Sequence, residues 1–266
     1  MSSPSPILRR ADAEGVATLT LASPANRNAL GLLMIDSLIV ALAEIEKDAS
    51  IRVVVIAGEG PALSAGHDLR EIRTHRGDAD GGADYFEKLM RRCGDLMRGV
   101  VELPKPVIAA VEGVATAAGC QLVAACDLAI AGEGAKFALP GVNIGLFCST
   151  PLVAVGRAVS RKAAMELALT GEPIDARRAQ AIGLVNRVVV SGDALTEAQA
   201  LAVKIAARSG PVLALGKRAF QSQIETTLGD AYRIAGQAMI DNLALPDSAE
   251  GIAAFLDKRA PAWSGR

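Results

Sequence analysis

Aromatic side chains are scarce in this sequence, at 3% of 266 residues, and no long run of charges of one sign occurs. Proteins that bind single-stranded nucleic acid rely on stacking aromatics and basic grooves, so both scarcities argue against that function. Lys and Arg number 28 against 29 Asp and Glu, which gives a net charge of −1. This balance provides no electrostatic reason to expect nucleic acid or an anionic membrane as the main partner.

Cysteine and histidine are also few, and their spacing is not that of a metal site. The four cysteines form no C-x-x-C pair, and only two histidines, His67 and His75, accompany them. We therefore expect no metal, and we expect thiols rather than disulfides, as in a reducing cytoplasm.

Long apolar runs are missing as well. The longest, from Ala29 to Ile45, is interrupted by Asp36 and Ser37 and is too short to cross a bilayer. The first fifteen residues carry charges and no apolar segment typical of a secretory signal. These features together predict a cytoplasmic protein.

The residues that are present predict a large core, because 51% are hydrophobic. Apolar runs and alternation predict strands at 16–22, 51–57, 107–111, 128–131 and 185–190, with helical patterns between them. Asn28 is a candidate cap for a helix over 29–48, and residues 78–82 are a candidate mobile loop. Helices follow one another from about Thr196. The pattern predicts an α/β core over residues 1–190 and a helical region over 191–266.

Two turns rich in small residues are the main chemical signal. S-A-G-H-D-L at 64–69 follows the second predicted strand, and G-V-A-T-A-A-G-C-Q at 113–121 follows the third and leads into a helix. Such turns are common in tight packing. However, two backbone N–H groups from two such turns also form an oxyanion hole when they point at one carbonyl oxygen.

These turns and four further segments resemble the enoyl-CoA hydratase/isomerase (crotonase) superfamily. The further segments are P-A-N-R-N-A-L at 24–30, F-A-L-P-G-V-N-I-G-L at 137–146, L-T-G-E-P-I-D-A at 169–176 with A-I-G-L-V at 181–185, and E-G-I-A-A-F-L-D-K-R at 250–259. Gln in the second turn and P-G-V-N-I-G-L-F-C-S-T-P resemble the enoyl-CoA hydratase domain-containing type 3 group. The resemblance implies a crotonase-like spiral of ββα units with a helical C-terminal oligomerisation region, assembled as a homotrimer or homohexamer.

The resemblance also implies an acyl-CoA thioester as substrate, with coenzyme A as part of it and no separate cofactor. The oxyanion-hole donors fall on the backbone of His67 and Ala118. Residues expected to contact coenzyme A are Arg27, Ala65, Gly66, Asp68, Leu69, Phe255 and Lys258, the last two often from a neighbouring subunit. For Arg27 and Lys258 a solvated surface charge is an equal alternative.

Two glutamates that serve the hydratases of this family are absent. The resemblance places them at positions 121 and 141, where this chain has Gln121 and Gly141. Neither an amide nor a glycine exchanges protons near neutral pH, and each acid–base group contributes roughly 10²–10⁴-fold to rate. Ordinary hydratase turnover is therefore doubtful.

Other side chains could replace the missing pair. The imidazole of His67 is one candidate for proton transfer, and the alternative is that only its N–H matters. Cys148 is a candidate nucleophile or proton donor, or else a buried inert thiol. Gln121 and Asn143 could orient water without transferring protons. We expect Cys120 and Cys126 to pack in the core, and Glu112 and Asp127 to form caps or salt bridges.

Three functions are compatible with these residues. The first is an acyl-CoA enzyme that works mainly by oxyanion stabilisation, with decarboxylation of a malonyl-type thioester as a particular form. Cys148 falls where the decarboxylases of the superfamily have Tyr, which weakens that form. The second is a weak hydratase that uses His67 or a water held by Gln121, and the third is a catalytically silent acyl-CoA-binding subunit.

Overall fold

The computed structural model of this protein describes residues 6–265 and contains ten strands within that range. In chain order they are β1 Leu8–Ala13, β2 Val16–Leu21, β3 Val53–Gly58, β4 Ala62–Ser64, β5 Val107–Val111, β6 Val114–Thr116, β7 Leu128–Gly132, β8 Lys136–Ala138, β9 Ile174–Asp175 and β10 Arg187–Val189.

Eleven α-helices lie in the same range of residues. They are α1 Leu32–Lys47, α2 Leu69–His75, α3 Ala83–Glu102, α4 Ala118–Ala125, α5 Ser149–Ala158, α6 Arg161–Thr170, α7 Ala176–Ala181, α8 Ala194–Ala206, α9 Gly210–Gln223, α10 Leu228–Leu243 and α11 Pro246–Leu256. Short 3₁₀ turns occur at Pro24–Asn26 and Pro140–Ile144.

The strands form two sheets. The larger has the order β1-β2-β3-β5-β7-β10, in which β1 and β2 are antiparallel and all other pairs are parallel. The smaller has the order β4-β6-β8-β9 and is parallel except for its last pair. From β3 to β8, successive strands therefore alternate between the larger and the smaller sheet. The mixed α/β architecture with a helical C-terminal region confirms the predicted fold class.

Apolar side chains cover both faces of the larger sheet, because alternate residues of its strands point to opposite faces. Val54 and Ile56 of β3 belong to the main core, which packs against α1, α3 and α4. Val53 and Val55 face the other way and pack against the alanines of α8, including Ala198. Because α8 packs on this sheet, it is continuous with the core. The division into 1–190 and 191–266 remains a prediction.

The start of α1 differs from the predicted one. Gly31 is the residue that precedes the helix, and the proposed capping role of Asn28 is wrong. Asn28 is fully buried, and its side chain accepts from the amide of Ser23 and donates to the carbonyls of Glu59 and Ala62. It therefore joins the 23–28 segment to the loop before β4.

Strand β1 lies at the open edge of the larger sheet, and five of its six residues are exposed. Its charges are paired: Arg9 with Glu59, and Arg10 with both Asp12 and Asp48. The alternating hydrophobic pattern that predicted β2 is absent here, which is why the sequence did not indicate this strand.

The helices α9 and α10 bury none of their residues fully and expose large apolar side chains. With α11 they form an exposed apolar surface, made of Phe220, Ile224, Leu228, Tyr232, Met239, Ile240, Leu243, Ile252, Phe255 and Leu256. Within residues 6–265, no helix has the length and apolar character needed to span a membrane.

Candidate active site

The first small-residue turn follows β4 and is held by the segment that precedes α1. Gly66 adopts φ +87°, a conformation that favours glycine, and its carbonyl accepts from the amide of Leu30 at 2.7 Å. The amide of Ala65 donates to the carbonyl of Arg27 at 3.0 Å. The backbone on either side of His67 is thus anchored before the chain enters α2.

The second turn ends in an unusual backbone conformation. Ala117 has φ 49° and ψ −120°, which an L-residue rarely adopts, and its amide donates to the carbonyl of Ala138 at 2.9 Å. Ala118 follows as the first residue of α4, a position whose amide has no partner inside the helix. The strained residue therefore lies immediately before the predicted oxyanion-hole donor.

The two turns are packed directly against each other. A Cβ placed on Gly66 would lie 2.9 Å from Cβ of Ala117 and 3.1 Å from the amide nitrogen of Ala118. One on Gly119 would overlap the carbonyl of Ser64, and the hydroxyl of Thr116 donates to the carbonyl of Ala65 at 3.2 Å. Among the loop hydrogen bonds of residues 6–265, none is donated by the backbone amide of His67. Both predicted donors are thus available and belong to adjoining backbones.

The imidazole of His67 is largely withdrawn from solvent. Its Nε2 atom is buried and has no hydrogen-bond partner among the described residues. Burial lowers the pKa of His67 to about 4, because the charged imidazolium is poorly solvated there. The imidazole is therefore neutral at neutral pH, which disfavours it as a cationic acid.

Position 121, where the resemblance places the first glutamate, is buried and neutral. The side chain of Gln121 is nearly inaccessible, and its amide oxygen lies 4.0 Å from Sγ of Cys93 on α3. Burial raises the pKa of Cys93 to about 11, so this thiol also remains uncharged. Gln121 and Cys93 are therefore polar but uncharged, and neither is a carboxylate that could transfer a proton.

Position 141, where the resemblance places the second glutamate, lies beside a thiol. A Cβ on Gly141 would lie 2.9 Å from Sγ of Cys148 and 2.9 Å from the carbonyl oxygen of Leu146. Burial raises the pKa of Cys148, and the facing amide of Gly141 opposes that shift. A thiol that holds its proton suits packing or proton donation better than nucleophilic attack.

Other predicted residues have structural partners. Cys120 is fully buried, and burial raises its pKa to about 12, whereas Cys126 is half-buried. Asn143 is exposed, and its amide donates to the carbonyl of Gly171 at 3.5 Å. Glu112 accepts from the amides of residues 192 and 194 at the start of α8, and Asp127 pairs with Lys217. The expected capping and salt-bridging roles are therefore confirmed.

The residues predicted to contact coenzyme A divide into two groups. Arg27 and Leu69 are exposed beside the first turn, and Asp68 caps α2 by accepting from the amide of Arg70 at 2.8 Å. Phe255 and Lys258 lie at the end of α11, where Phe255 is 82% exposed. No described contact within this chain joins them to the turns, so their role stays a prediction.

Two residues beside the first turn were not singled out from the sequence. Glu71 of α2 and Tyr85 of α3 form a hydrogen bond of 2.6 Å within a stretch that only showed many charges and glycines. A sequence signal for this contact is the glycine at position 31, because the absence of a side chain there leaves room for the carboxylate of Glu71. Among the described residues, no group of three His, Cys, Asp or Glu side chains is arranged to hold a metal ion.

Comparison with known proteins identifies the family. The sequence profile of the enoyl-CoA hydratase/isomerase family matches residues 11–266. The rat mitochondrial enoyl-CoA hydratase domain-containing protein 3 is 46% identical over 251 residues, which cover 94% of this chain and 82% of that protein. The chain therefore belongs to the enoyl-CoA hydratase/isomerase family.

Solved structures agree with this assignment and with the type 3 resemblance. The crystal structure of human enoyl coenzyme A hydratase domain-containing protein 3 superimposes with a TM-score of 0.92 at 45% identity, covering 97% of this chain and all of the other. An enoyl-CoA hydratase from Mycobacterium smegmatis gives 0.92 at 48% identity, covering 97% and 99%. The crotonase fold is thereby confirmed.

The predicted cytoplasmic location is wrong by this comparison. The rat, human and mouse relatives, at 46–47% identity, are all named as mitochondrial proteins. The prediction rested on missing signals and on thiol usage. Free cysteines do not distinguish the cytoplasm from the mitochondrion, because both compartments keep thiols reduced.

Proposed function

We propose that this protein binds acyl-CoA thioesters and polarises the thioester carbonyl with the backbone amides of His67 and Ala118. The observation that carries this proposal is the direct packing of Gly66 against Ala117 and Ala118, with the two donor amides free of loop partners. Two such donors stabilise the enolate that forms when charge moves onto the carbonyl oxygen. No separate cofactor is needed, since coenzyme A enters with the substrate.

The reaction we propose differs from that of a two-glutamate hydratase. Position 121 holds a buried amide, and position 141 faces a protonated thiol, so neither provides a base to activate water. A malonyl-type thioester suits such a site, because it brings its own negative charge. The bond between Cα and the carboxylate breaks, carbon dioxide leaves, and the electron pair passes into the thioester enolate. Water or the Cys148 thiol then supplies the proton to Cα.

The tests separate binding from turnover. Thermal-shift titration with butyryl-CoA, malonyl-CoA and methylmalonyl-CoA measures binding, since a ligand of the native state raises the melting temperature. Release of carbon dioxide from the malonyl thioesters supports decarboxylation, and loss of the double-bond absorbance of crotonyl-CoA supports weak hydration. Binding without any product supports a silent acyl-CoA-binding subunit. Failure of every thioester to bind contradicts the whole proposal.

We also propose that the chain assembles as a homotrimer or homohexamer through its C-terminal helices. The exposed large apolar side chains of α9–α11 support this assembly, because clusters of exposed apolar residues typically mark a protein–protein interface. Light scattering coupled to gel filtration distinguishes three copies from six. A monomer at micromolar concentration contradicts the proposal.

A further inference from the structure

The backbone around His67 is anchored on both sides to one short segment. On one side of His67, the amide of Leu30 donates to Gly66, and the carbonyl of Arg27 accepts from Ala65. On the other side, the carboxylate of Glu71 accepts from the amide of Leu32 at 3.3 Å. Residues 27–32 therefore fix the backbone before and after His67.

Glu71 fits closely against the beginning of α1. A Cβ on Gly31 would overlap its carboxylate, so a larger residue at position 31 would displace Glu71 from this contact. The negative charge lies at the N-terminal end of α1, where the helix dipole favours it. Glu71 thus docks α2 on the same segment that holds the first turn.

Tyr85 completes the anchor from α3. Its hydroxyl donates to the same carboxylate oxygen of Glu71 at 2.6 Å. Burial, together with the hydrogen bond to Glu71, raises the pKa of Tyr85 well above its usual range, so the phenol keeps its proton. Its ring stacks on that of His75 with centroids 3.8 Å apart, and Nδ1 of His75 lies 2.7 Å from the carboxylate of Asp78. Both ends of α2 are therefore attached to the start of α3.

We propose that Glu71 and Tyr85 are positioning residues for the thioester carbonyl and that they act through the amide of His67. This inference rests on the proposed function. Only three residues separate His67 from Glu71, so a shift of α2 changes the direction of that N–H. Oxyanion-hole donors stabilise charge only when they point at the oxygen, and small misplacements reduce rate steeply.

The test measures carbonyl polarisation rather than stability. Butyryl-CoA with a heavy-carbon label at its carbonyl is bound to the full-length protein, and difference infrared spectroscopy records the carbonyl stretch. Polarisation by two amides lowers that frequency. The variants are Tyr85→Phe, Glu71→Ala and the conservative Glu71→Gln. The matched control is Ser160→Ala, which removes the N-terminal cap of α6, a helix that contains neither turn.

In the wild type we expect a lowered stretch. We expect Tyr85→Phe and Glu71→Ala to lose most of that lowering, Glu71→Gln to keep part of it, and Ser160→Ala to keep all of it. If Glu71→Ala does not fold, Tyr85→Phe decides the question. Full lowering in Tyr85→Phe, or equal loss in Ser160→Ala, overturns the positioning role. Absence of any lowering in the wild type contradicts the proposed function instead.

Discussion

The ammonium group of Lys217 lies 2.7 Å from the carboxylate of Asp127 and also donates to the carbonyls of Val100 and Lys105, both at 3.2 Å. The side chain of Lys217 is 9% exposed, although it lies on α9, whose other face is open. One nearly buried ion pair, with its two further hydrogen bonds, thus attaches α9 to the last turn of α3 and to the residues that precede β5 and β7.

We predict that Lys217→Met lowers the free energy of unfolding by about 3 kcal/mol, because Asp127 loses its cationic partner and keeps only the Val107 amide, while two carbonyls lose their donor. Burial already raises the pKa of Asp127, and Lys217 opposes that shift. Without the lysine this pKa rises further, so the variant's deficit should be smaller at about pH 4, where the carboxylate gains a proton, than at about pH 8. Urea denaturation measures both values. Lys204→Met on the exposed side of α8 is the control, and an equal loss there contradicts the prediction.

A second prediction concerns the space shared by Gly141 and Cys148. Gly141→Ala should destabilise the protein by about 2 kcal/mol, because the new methyl group meets both the thiol and the carbonyl of Leu146. Cys148→Ala in the same background should recover part of that loss. A double-mutant cycle gives the coupling energy, and strict additivity would show that the two positions do not compete for space.

The strained residue before α4 provides a third prediction. Ala117→Gly should raise the free energy of unfolding by about 1 kcal/mol, since glycine adopts φ 49° without the steric cost that alanine bears. Ala124→Gly changes a residue inside α4, where the backbone is helical, and should instead cost about 1 kcal/mol. Chemical denaturation compares the two variants, and destabilisation in both would contradict the strain argument.

The fourth prediction is a pH dependence of stability that originates at His67. Its pKa is about 4 in the folded protein, against 6.5 for an ordinary histidine, so the unfolded chain binds more protons between these values. Stability from this residue is complete above about pH 6.5 and is lost as the pH falls toward 4, by about 3 kcal/mol at most. His67→Leu should remove that part of the acid sensitivity. His75→Gln should leave it in place, because the shift at His67 comes from the burial of its own ring.

Much of the larger sheet was predictable because its central strands are continuous apolar runs with glycine or charge at their ends. The runs at 107–111 and 128–131 coincide with β5 and β7, and 51–57 is displaced by one or two residues from β3. The short strands β4, β6 and β8 have three residues each and no periodicity to detect. β1 was missed because its exposed residues are charged.

The candidate site was predictable as sequence segments but not as contacts. Small residues at 64–66 and 117–119 indicated close approach, and Gly66 and Gly119 indeed meet the opposite turn. The partners that shape the chemistry are distant in sequence and carry no local signal. The thiol beside Gly141 and the hydrogen bond from Tyr85 to Glu71 depend on loop paths that only the folded chain defines.

The charged edge strand β1 has a consequence for how the chain behaves in a crowded solution. Its outward backbone groups would accept a further strand, and such growth is open-ended. The paired side chains of Arg9 and Arg10 would have to give up their partners and their water before another strand could dock. The ion pairs along this edge strand thus oppose the strand-to-strand pairing that leads to fibre-like aggregation.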